Sequence, residues 1–173
     1  MTHELPDAIE FGHPAKAVRT LCEFTAKQGD LDLFLTPAPT AQEGMAVHAL
    51  VASRRSAGYQ AEISLTGEFQ HLLVRGRADG WDPAQNQLEE IKTFRCDLAR
   101  MPDNHRHLHW AHVKVYGHLL CQKLGLPELR LALIYFDIVG KRETVISELH
   151  DAAACSPRPS SPRVAAAPSL KQV

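Results

Sequence analysis

The chain has 173 residues, of which 45% are hydrophobic and 23% charged, a composition typical of one globular domain with its own core. The formal net charge of −1 excludes a uniformly basic nucleic-acid coat, although a local basic groove is compatible with it. No apolar run is long enough to cross a bilayer, and the acidic N-terminus MTHELPDAIEF lacks the features of a signal peptide. We therefore expect a cytoplasmic protein without a membrane partner.

Two helices are predicted in the first third of the chain. Apolar residues recur at helical spacing over residues 14–28, and Gly29 follows them. Thr40 and Glu43 form a T-x-x-E capping box, which begins many helices. The second helix is predicted to run to about Arg55, with Gly58 at its C-terminal end.

The pattern changes to alternation of apolar and polar residues after Tyr59, which is typical of strands. Turn-forming residues, Asp82-Pro83 and Asn86, separate the second strand from the third. The three predicted strands cover residues 59–67, 70–79 and 87–94.

A long helix is predicted over residues 103–124, with Asp103 or Asn104 as its cap and Gly125 beyond its end. Residues 128–138 form a continuous apolar run, as expected for a central strand that is covered on both faces. A last strand is predicted over residues 142–149.

The predicted element order is α-α-β-β-β-α-β-β, which indicates an α/β fold with a mixed central sheet flanked by helices. Residues 1–150 would form this domain. Residues 151–173 are rich in Ala, Pro and Ser and show no periodicity, so we expect a disordered tail there.

The stretch GRADGWDPAQNQLEEIKTFR places three charged residues where strands should run. Glu90 and Lys92 are two residues apart, so they share a face of their strand, and a hairpin would bring Asp79 near Glu90. Two carboxylates and the Ile91 carbonyl are the oxygen ligands that Mg²⁺ or Mn²⁺ prefers. Lys92 would then orient an attacking water or stabilise developing charge. The alternative is a surface salt bridge between Glu90 and Lys92, with Asp79 as a turn residue.

This segment resembles the PD-(D/E)XK nuclease superfamily, whose motif is an acidic residue, a turn and a strand bearing (D/E)-x-K. Asp79 and Glu90-Ile91-Lys92 match that motif, and E-G-M-A-V-H upstream is similar to the RecB-like branch, in which a helical histidine completes the metal site. The resemblance covers roughly residues 15–150 and implies a restriction-endonuclease-like core. It implies Asp79, Glu90, Lys92 and His48 as catalytic residues. It also implies Mg²⁺ or Mn²⁺ held by His48, Asp79, Glu90 and Ile91.

The RecB-like branch carries Q-x-x-x-Y in the helix after the lysine strand, and here the same register reads His112 to Tyr116. The chain is also similar to the nuclease module of DinG-like iron–sulfur helicases, but it has no nucleotide-binding loop. This likeness implies a truncated module and, as a candidate partner, a helicase encoded separately. Because the four cysteines lie far apart and only Cys155 follows the core, we expect no iron–sulfur cluster.

Basic residues around the acidic motif predict contacts with nucleic-acid phosphates. The predicted nucleic-acid-binding residues are His112, Tyr116, Arg77, Arg95 and Lys114. Each cation could instead be ordinary solvated charge, and Arg77 could be a structural partner of Asp79.

His105, His109, His112 and Tyr116 fall on one face of the long helix. Three interpretations of this face remain open: a stripe that faces the cleft and helps to bind DNA, a zinc site, and plain surface.

The residues and the resemblance together predict a metal-dependent DNA nuclease that hydrolyses phosphodiester bonds of single strands or DNA ends, in DNA repair or processing. The alternative is a catalytically inactive DNA-binding or interaction remnant of a helicase-associated nuclease module. Divalent-dependent cleavage separates the two hypotheses.

Overall fold

A computed structural model of the protein describes residues 15–29, 39–69, 72–95 and 97–155. Within these ranges, no helix is long and apolar enough to cross a membrane. The helices are α1 (Val18–Thr25), α2 (Ala41–Ser53) and α3 (Asp103–Leu124), with short 3₁₀ turns at Leu98–Arg100 and Ala152–Cys155. The strands are β1 (Lys16–Ala17), β2 (Gln60–Phe69), β3 (Leu72–Asp82), β4 (Gln87–Phe94), β5 (Glu128–Asp137) and β6 (Arg142–Asp151).

The six strands form one mixed sheet. β2 pairs with β3, β3 with β4, and β5 with β6, all antiparallel, whereas β4 and β5 are parallel. Helix α3 connects β4 to β5, because parallel neighbours need a crossover. β1 pairs in parallel with the first half of β3. The predicted fold class, α/β with a mixed central sheet flanked by helices, is confirmed.

The sheet is covered on both faces. α1 and α3 pack on one face, where Leu131, Leu133 and Tyr135 of β5 belong to the larger hydrophobic core. α2 packs on the other face, where its two buried valines meet Ile134 and Phe136 in a smaller cluster. β5 is therefore buried on both sides, as its apolar run predicted.

Among the predicted signals at helix ends, the capping box of α2 and the glycine after α3 are confirmed. Thr40 and Glu43 form both hydrogen bonds of the capping box, and Gly125 ends α3 in the left-handed region with φ of 66°. The predicted cap of α3 was wrong: Pro102 occupies the cap position, without a side-chain hydrogen bond. Asn104 lies inside the helix instead, and its side chain donates to the carbonyl of Gln28 at 3.1 Å.

Several element boundaries differ from prediction, and the first of these differences is due to tertiary pairing. The first helix is shorter than residues 14–28, since Lys16 and Ala17 extend to pair with β3. α2 ends at Ser53 rather than near Arg55, and Gly58 is not its cap. The last strand continues to Asp151 and is followed by a 3₁₀ turn, so regular structure passes residue 150. Residues 156–173 lie outside the described ranges, and their disorder stays a prediction.

Candidate active site

The site lies where β3 and β4 separate. Their antiparallel ladder runs from the turn to the pair Gly80–Glu89 and ends there. The same register, continued by one residue, sets Asp79 opposite Glu90. The two carboxyl groups therefore stand at the start of a fork between strands, where the ladder no longer uses the backbone groups of β4.

The pairing on the other side of β3 is also interrupted at Asp79. β2 and β3 are paired on either side of this position, but no pair joins Glu62 to Asp79. Glu62 has φ of 54°, in the left-handed region that few residues other than glycine adopt. This conformation costs about 1 kcal/mol or more, and such strain concentrates at functional positions. Asp79 thus lies at a break in both of its ladders.

Three elements meet around the Asp79 carboxylate. Its Oδ2 accepts a hydrogen bond from the backbone N–H of Ile91 on β4 at 2.7 Å. Its Oδ1 lies 3.6 Å from Nδ1 of His48 on α2. The His48 ring also makes a hydrogen bond with the backbone of Ile91. The structure therefore brings together His48, Asp79 and Ile91, which the sequence predicted as neighbours.

Glu90 is held from the opposite side. Nζ of Lys92 donates to its Oε1 at 2.7 Å, as expected for side chains two residues apart in a strand. Nδ1 of His112 on α3 lies 3.8 Å from the same oxygen. The side chain of Glu90 is only 7% exposed and that of Lys92 is 25% exposed. An open surface salt bridge does not describe this pair.

The two carboxyl groups are electrostatically coupled. Burial raises the pKa of Asp79, and the charge of Glu90 raises it further. Burial also acts to raise the pKa of Glu90, but the charge of Lys92 and hydrogen bonds from Lys92 and His112 outweigh it and lower that pKa. Burial lowers the pKa of His48, which leaves its ring neutral and able to act as a ligand near pH 7.

The donor types here fit Mg²⁺ or Mn²⁺. Asp79 and Glu90 supply hard oxygen ligands, the Ile91 carbonyl belongs to the same strand segment, and His48 adds a neutral nitrogen. A divalent cation would also offset the repulsion that raises the pKa of Asp79. Among the described residues, no group of three or more His, Cys, Asp or Glu side chains is already arranged to hold a metal ion. The nearest groups are instead turned toward Lys92 and the backbone of Ile91.

Tyr116 of α3 also reaches this region. Its ring lies against Gly76, where an added Cβ would be only 2.7 Å from Cε1. Burial raises the pKa of Tyr116, and the charges of Glu90 and Asp79 raise it further. Tyr116 and His112 are thus both near the acidic pair, as their shared helix face predicted.

The predicted basic residues separate into two groups. Arg77 is 63% exposed and lies 3.4 Å from Oε2 of Glu62, beside the site. Arg95 forms an ion pair with Glu43 of α2. Lys114 has partners other than Asp79 and Glu90. Its Nζ lies 3.0 Å from Glu148 on β6 and 5.7 Å from the centre of the Trp110 ring. Because Lys114 is two residues after His112, it projects from another side of α3.

Comparison with known proteins gives structural likeness without a sequence family. No protein-family model and no curated protein matches the chain. The solved protein SSO0001 is 22% identical, with a TM-score of 0.48 over 68% of this chain and 56% of its own. A candidate exonuclease from Eubacterium rectale is 15% identical, with a TM-score of 0.43 over 62% of this chain and 44% of its own. A phage-related exonuclease from Haemophilus somnus is 15% identical, with a TM-score of 0.41 over 79% and 71%. The chain thus spans about half the length of the first two proteins.

The histidine face of α3 is not plain surface. Nδ1 of His109 lies 3.0 Å from the hydroxyl of Tyr135 on β5, and His112 faces Glu90. The buried residues of α3 lie on more than one side of the helix, and the histidine face is one of the sides that pack toward the sheet. Within the described ranges, these histidines form no cluster with zinc-binding geometry.

Two of the four cysteines can be described. Cys22 and Cys121 are buried thiols that take part in no disulfide, and burial, with a smaller effect of Glu90, raises the pKa of Cys22 to about 11. Cys96 and the side chain of Cys155 lie outside what the structure describes. The cluster prediction therefore stays a prediction.

Sequence reasoning missed a second acidic centre at Glu89. This side chain is 2% exposed and lies 3.0 Å from Nε of Arg55. Tyr59 and Gln87 also donate to it, at 3.1 and 2.9 Å. The signal in the sequence was that Glu89 is adjacent to Glu90 in a strand, so the two side chains must lie on opposite faces of the sheet.

Proposed function

We propose that the chain is a nuclease that depends on Mg²⁺ or Mn²⁺ and hydrolyses phosphodiester bonds of single-stranded DNA or DNA ends. The observation that carries this proposal is the meeting of Asp79, Glu90 and Lys92 at the fork between β3 and β4. Burying two carboxyl groups that repel each other costs free energy, and proteins retain such pairs mainly at functional sites.

The metal would be held by Asp79, Glu90 and the carbonyl of Ile91, with His48 as a further ligand. Bound there, it would supply positive charge to a phosphate oxygen and to the group that leaves.

The remaining chemistry belongs to side chains of the chain itself. Lys92 would orient the attacking water and stabilise the negative charge that develops on the phosphoryl oxygens. The water adds to phosphorus and gives up a proton to solvent, while the bond to the leaving oxygen breaks and that oxygen takes up a proton. The products are one strand end with a phosphate and one with a hydroxyl. Tyr116 and His112 would contact the nucleic acid from α3. Arg95 would bind a phosphate by giving up its ion pair with Glu43.

The test replaces the lysine. Lys92→Ala should lower the rate of divalent-dependent cleavage of a fluorescently labelled single strand by at least about 100-fold, because a preorganised charge at the reacting group is lost. Cleavage is followed on denaturing gels with Mg²⁺, Mn²⁺ or EDTA. Lys141→Ala, at an exposed position in the turn between β5 and β6, is the control and should keep wild-type activity. Equal rates for Lys92→Ala and wild type would contradict the proposal.

The second candidate function is a non-catalytic DNA-binding module. It is favoured by the contacts that already engage the acidic oxygens, from Lys92 to Glu90 and from the Ile91 N–H to Asp79. A module of this kind would bind single strands with a strong salt dependence and would leave them uncut. In the cell, either function would serve DNA repair or processing beside a separately encoded helicase.

A further inference from the structure

A groove of about 610 Å³ lies between α2 and strands β2 and β3, immediately beside the acidic pair. It shares His48 and Asp79 with the candidate site. Its volume is within the range of about 300–1,000 Å³ that is usual for small-molecule sites. The wall formed by α2 and β2 is made largely of small residues, namely Ala41, Gly44, Ala49, Ala52 and Ala61.

The charges of the groove do not suit a phosphate. Among the described residues that line the groove, Arg77 is the single Arg or Lys. Its guanidinium is paired with Glu62 at 3.4 Å. The carboxyl groups of Glu62 and Asp79 also line the groove. A phosphate placed in this groove would meet no unpaired cation, whereas an uncharged ring system would meet an apolar wall.

Two features of the groove suit an aromatic ring. Met45 lines the groove and is 74% exposed, which is unusual for a large apolar side chain. A methionine is adaptable and makes favourable contacts with aromatic faces. A Cβ added at Gly44 would meet no atom within 4 Å, so there is open space above the helix at this point.

We propose that this groove binds the base of one unpaired nucleotide, next to the phosphate that lies at the acidic pair. The position of that phosphate rests on the proposed function. Bases in a duplex are stacked and paired, and they must be taken out of the stack before they can enter a side groove. The groove would therefore make the protein select single strands and frayed ends.

The experiment blocks the groove and measures binding without cleavage. Ala49→Trp places a large side chain in the groove, and Ala46→Trp places the same side chain at an exposed position of α2 outside it. A fluorescein-labelled thymidine oligonucleotide and an abasic oligonucleotide of equal length are bound in EDTA and followed by anisotropy. Wild type and Ala46→Trp should bind the thymidine strand about tenfold more tightly than the abasic strand. Ala49→Trp should bind both strands equally.

A second variant protects the test against misfolding. Gly44→Phe blocks the groove one turn earlier on α2 and should also abolish the base preference, and thermal melting identifies the variants that remain folded. Equal binding of both strands by wild type, or a preserved preference in the folded blocked variants, would overturn the inference. If wild type keeps the preference but cleaves neither strand with Mg²⁺ or Mn²⁺, the proposed function fails while the groove stands.

Discussion

Glu89 and Glu90 are adjacent on β4 but lie in different environments, because successive side chains of a strand point to opposite faces of the sheet. Glu89 faces α2, where Arg55 and Tyr59 donate to it in the interior. Glu90 faces α3 and is held by Lys92 near the fork between β3 and β4. A buried carboxylate whose oxygens are satisfied is structural, whereas one that shares its surroundings with a second carboxyl group is the better ligand.

Protonation of the buried His109 ring at acid pH should destabilise the folded protein. Burial, with a smaller effect of the charge of Lys92, lowers the pKa of His109 to about 3. Because the folded-state pKa is below the unfolded value of about 6.5, this stability is present above pH 6.5 and is lost as the pH falls toward 3. The loss from this one group reaches up to about 2 kcal/mol at pH 5.

The variant His109→Gln should remove this contribution. Urea denaturation of metal-free protein at pH 5 and pH 7.5 should show a smaller difference in unfolding free energy than in wild type. His107→Gln, at an exposed position of the same helix, is the control and should leave the pH dependence unchanged. If the two variants behave alike, the burial of a neutral His109 is not the cause.

At the scale of elements, α2 packs on the sheet through few buried side chains. Its buried side chains, Val47 and Val51, meet only a small cluster on the sheet. The end of the helix is held by Arg55, whose Nη2 donates to Glu143 at 2.9 Å while its Nε reaches Glu89. Because α2 carries His48, this ionic attachment also sets the distance from His48 to Asp79.

Arg55→Ala should therefore destabilise the protein by about 3 kcal/mol, because it leaves Glu89 buried without its cation. Arg54→Ala is the control: Arg54 is 38% exposed, pairs with Glu143 and lies 5.5 Å from the centre of the Phe136 ring. Because this pair is more exposed, its loss should cost about 1 kcal/mol. Chemical denaturation measures both. Equal losses would show that Glu89 does not depend on Arg55.

At the scale of the whole molecule, the site exists only when the sheet is assembled. His48 comes from α2, Asp79 from β3, Glu90 from β4 and His112 from α3. Each separate element is marginal by itself, and their association buries the core. A ligand that binds these elements together stabilises the folded state and not the unfolded chain.

Mn²⁺ should consequently raise the melting temperature of wild type. A concentration 100 times the dissociation constant corresponds to about 2.7 kcal/mol of added stability. Glu90→Gln should lose most of this shift, whereas Glu128→Gln, at an exposed position at the start of β5, should retain it. Melting is compared in EDTA and in MnCl₂. A wild-type protein without any shift would favour the non-catalytic module.

Several features could be predicted because they depend on neighbours in sequence. The capping box of Thr40 and Glu43, the shared face of Glu90 and Lys92, and the buried run of β5 follow from local geometry alone. The proximity of Asp79 and Glu90 could be predicted for a similar reason, since one hairpin joins them.

Other features depended on partners far along the chain. Lys16 and Ala17 extend because β3 has an open edge beside them, and Lys114 turns away because Glu148 lies next to it on β6. Glu89 pairs with Arg55, which lies 34 residues away in the sequence. The sequence by itself determined the alternation, the capping box of α2, the glycine that ends α3 and the spacing of Glu90 and Lys92, because these are set by backbone geometry over a few residues. Only the tertiary structure decided which charges are paired, where both ladders of β3 break, and which groove opens beside the site, because each of these needs surfaces that meet only after folding.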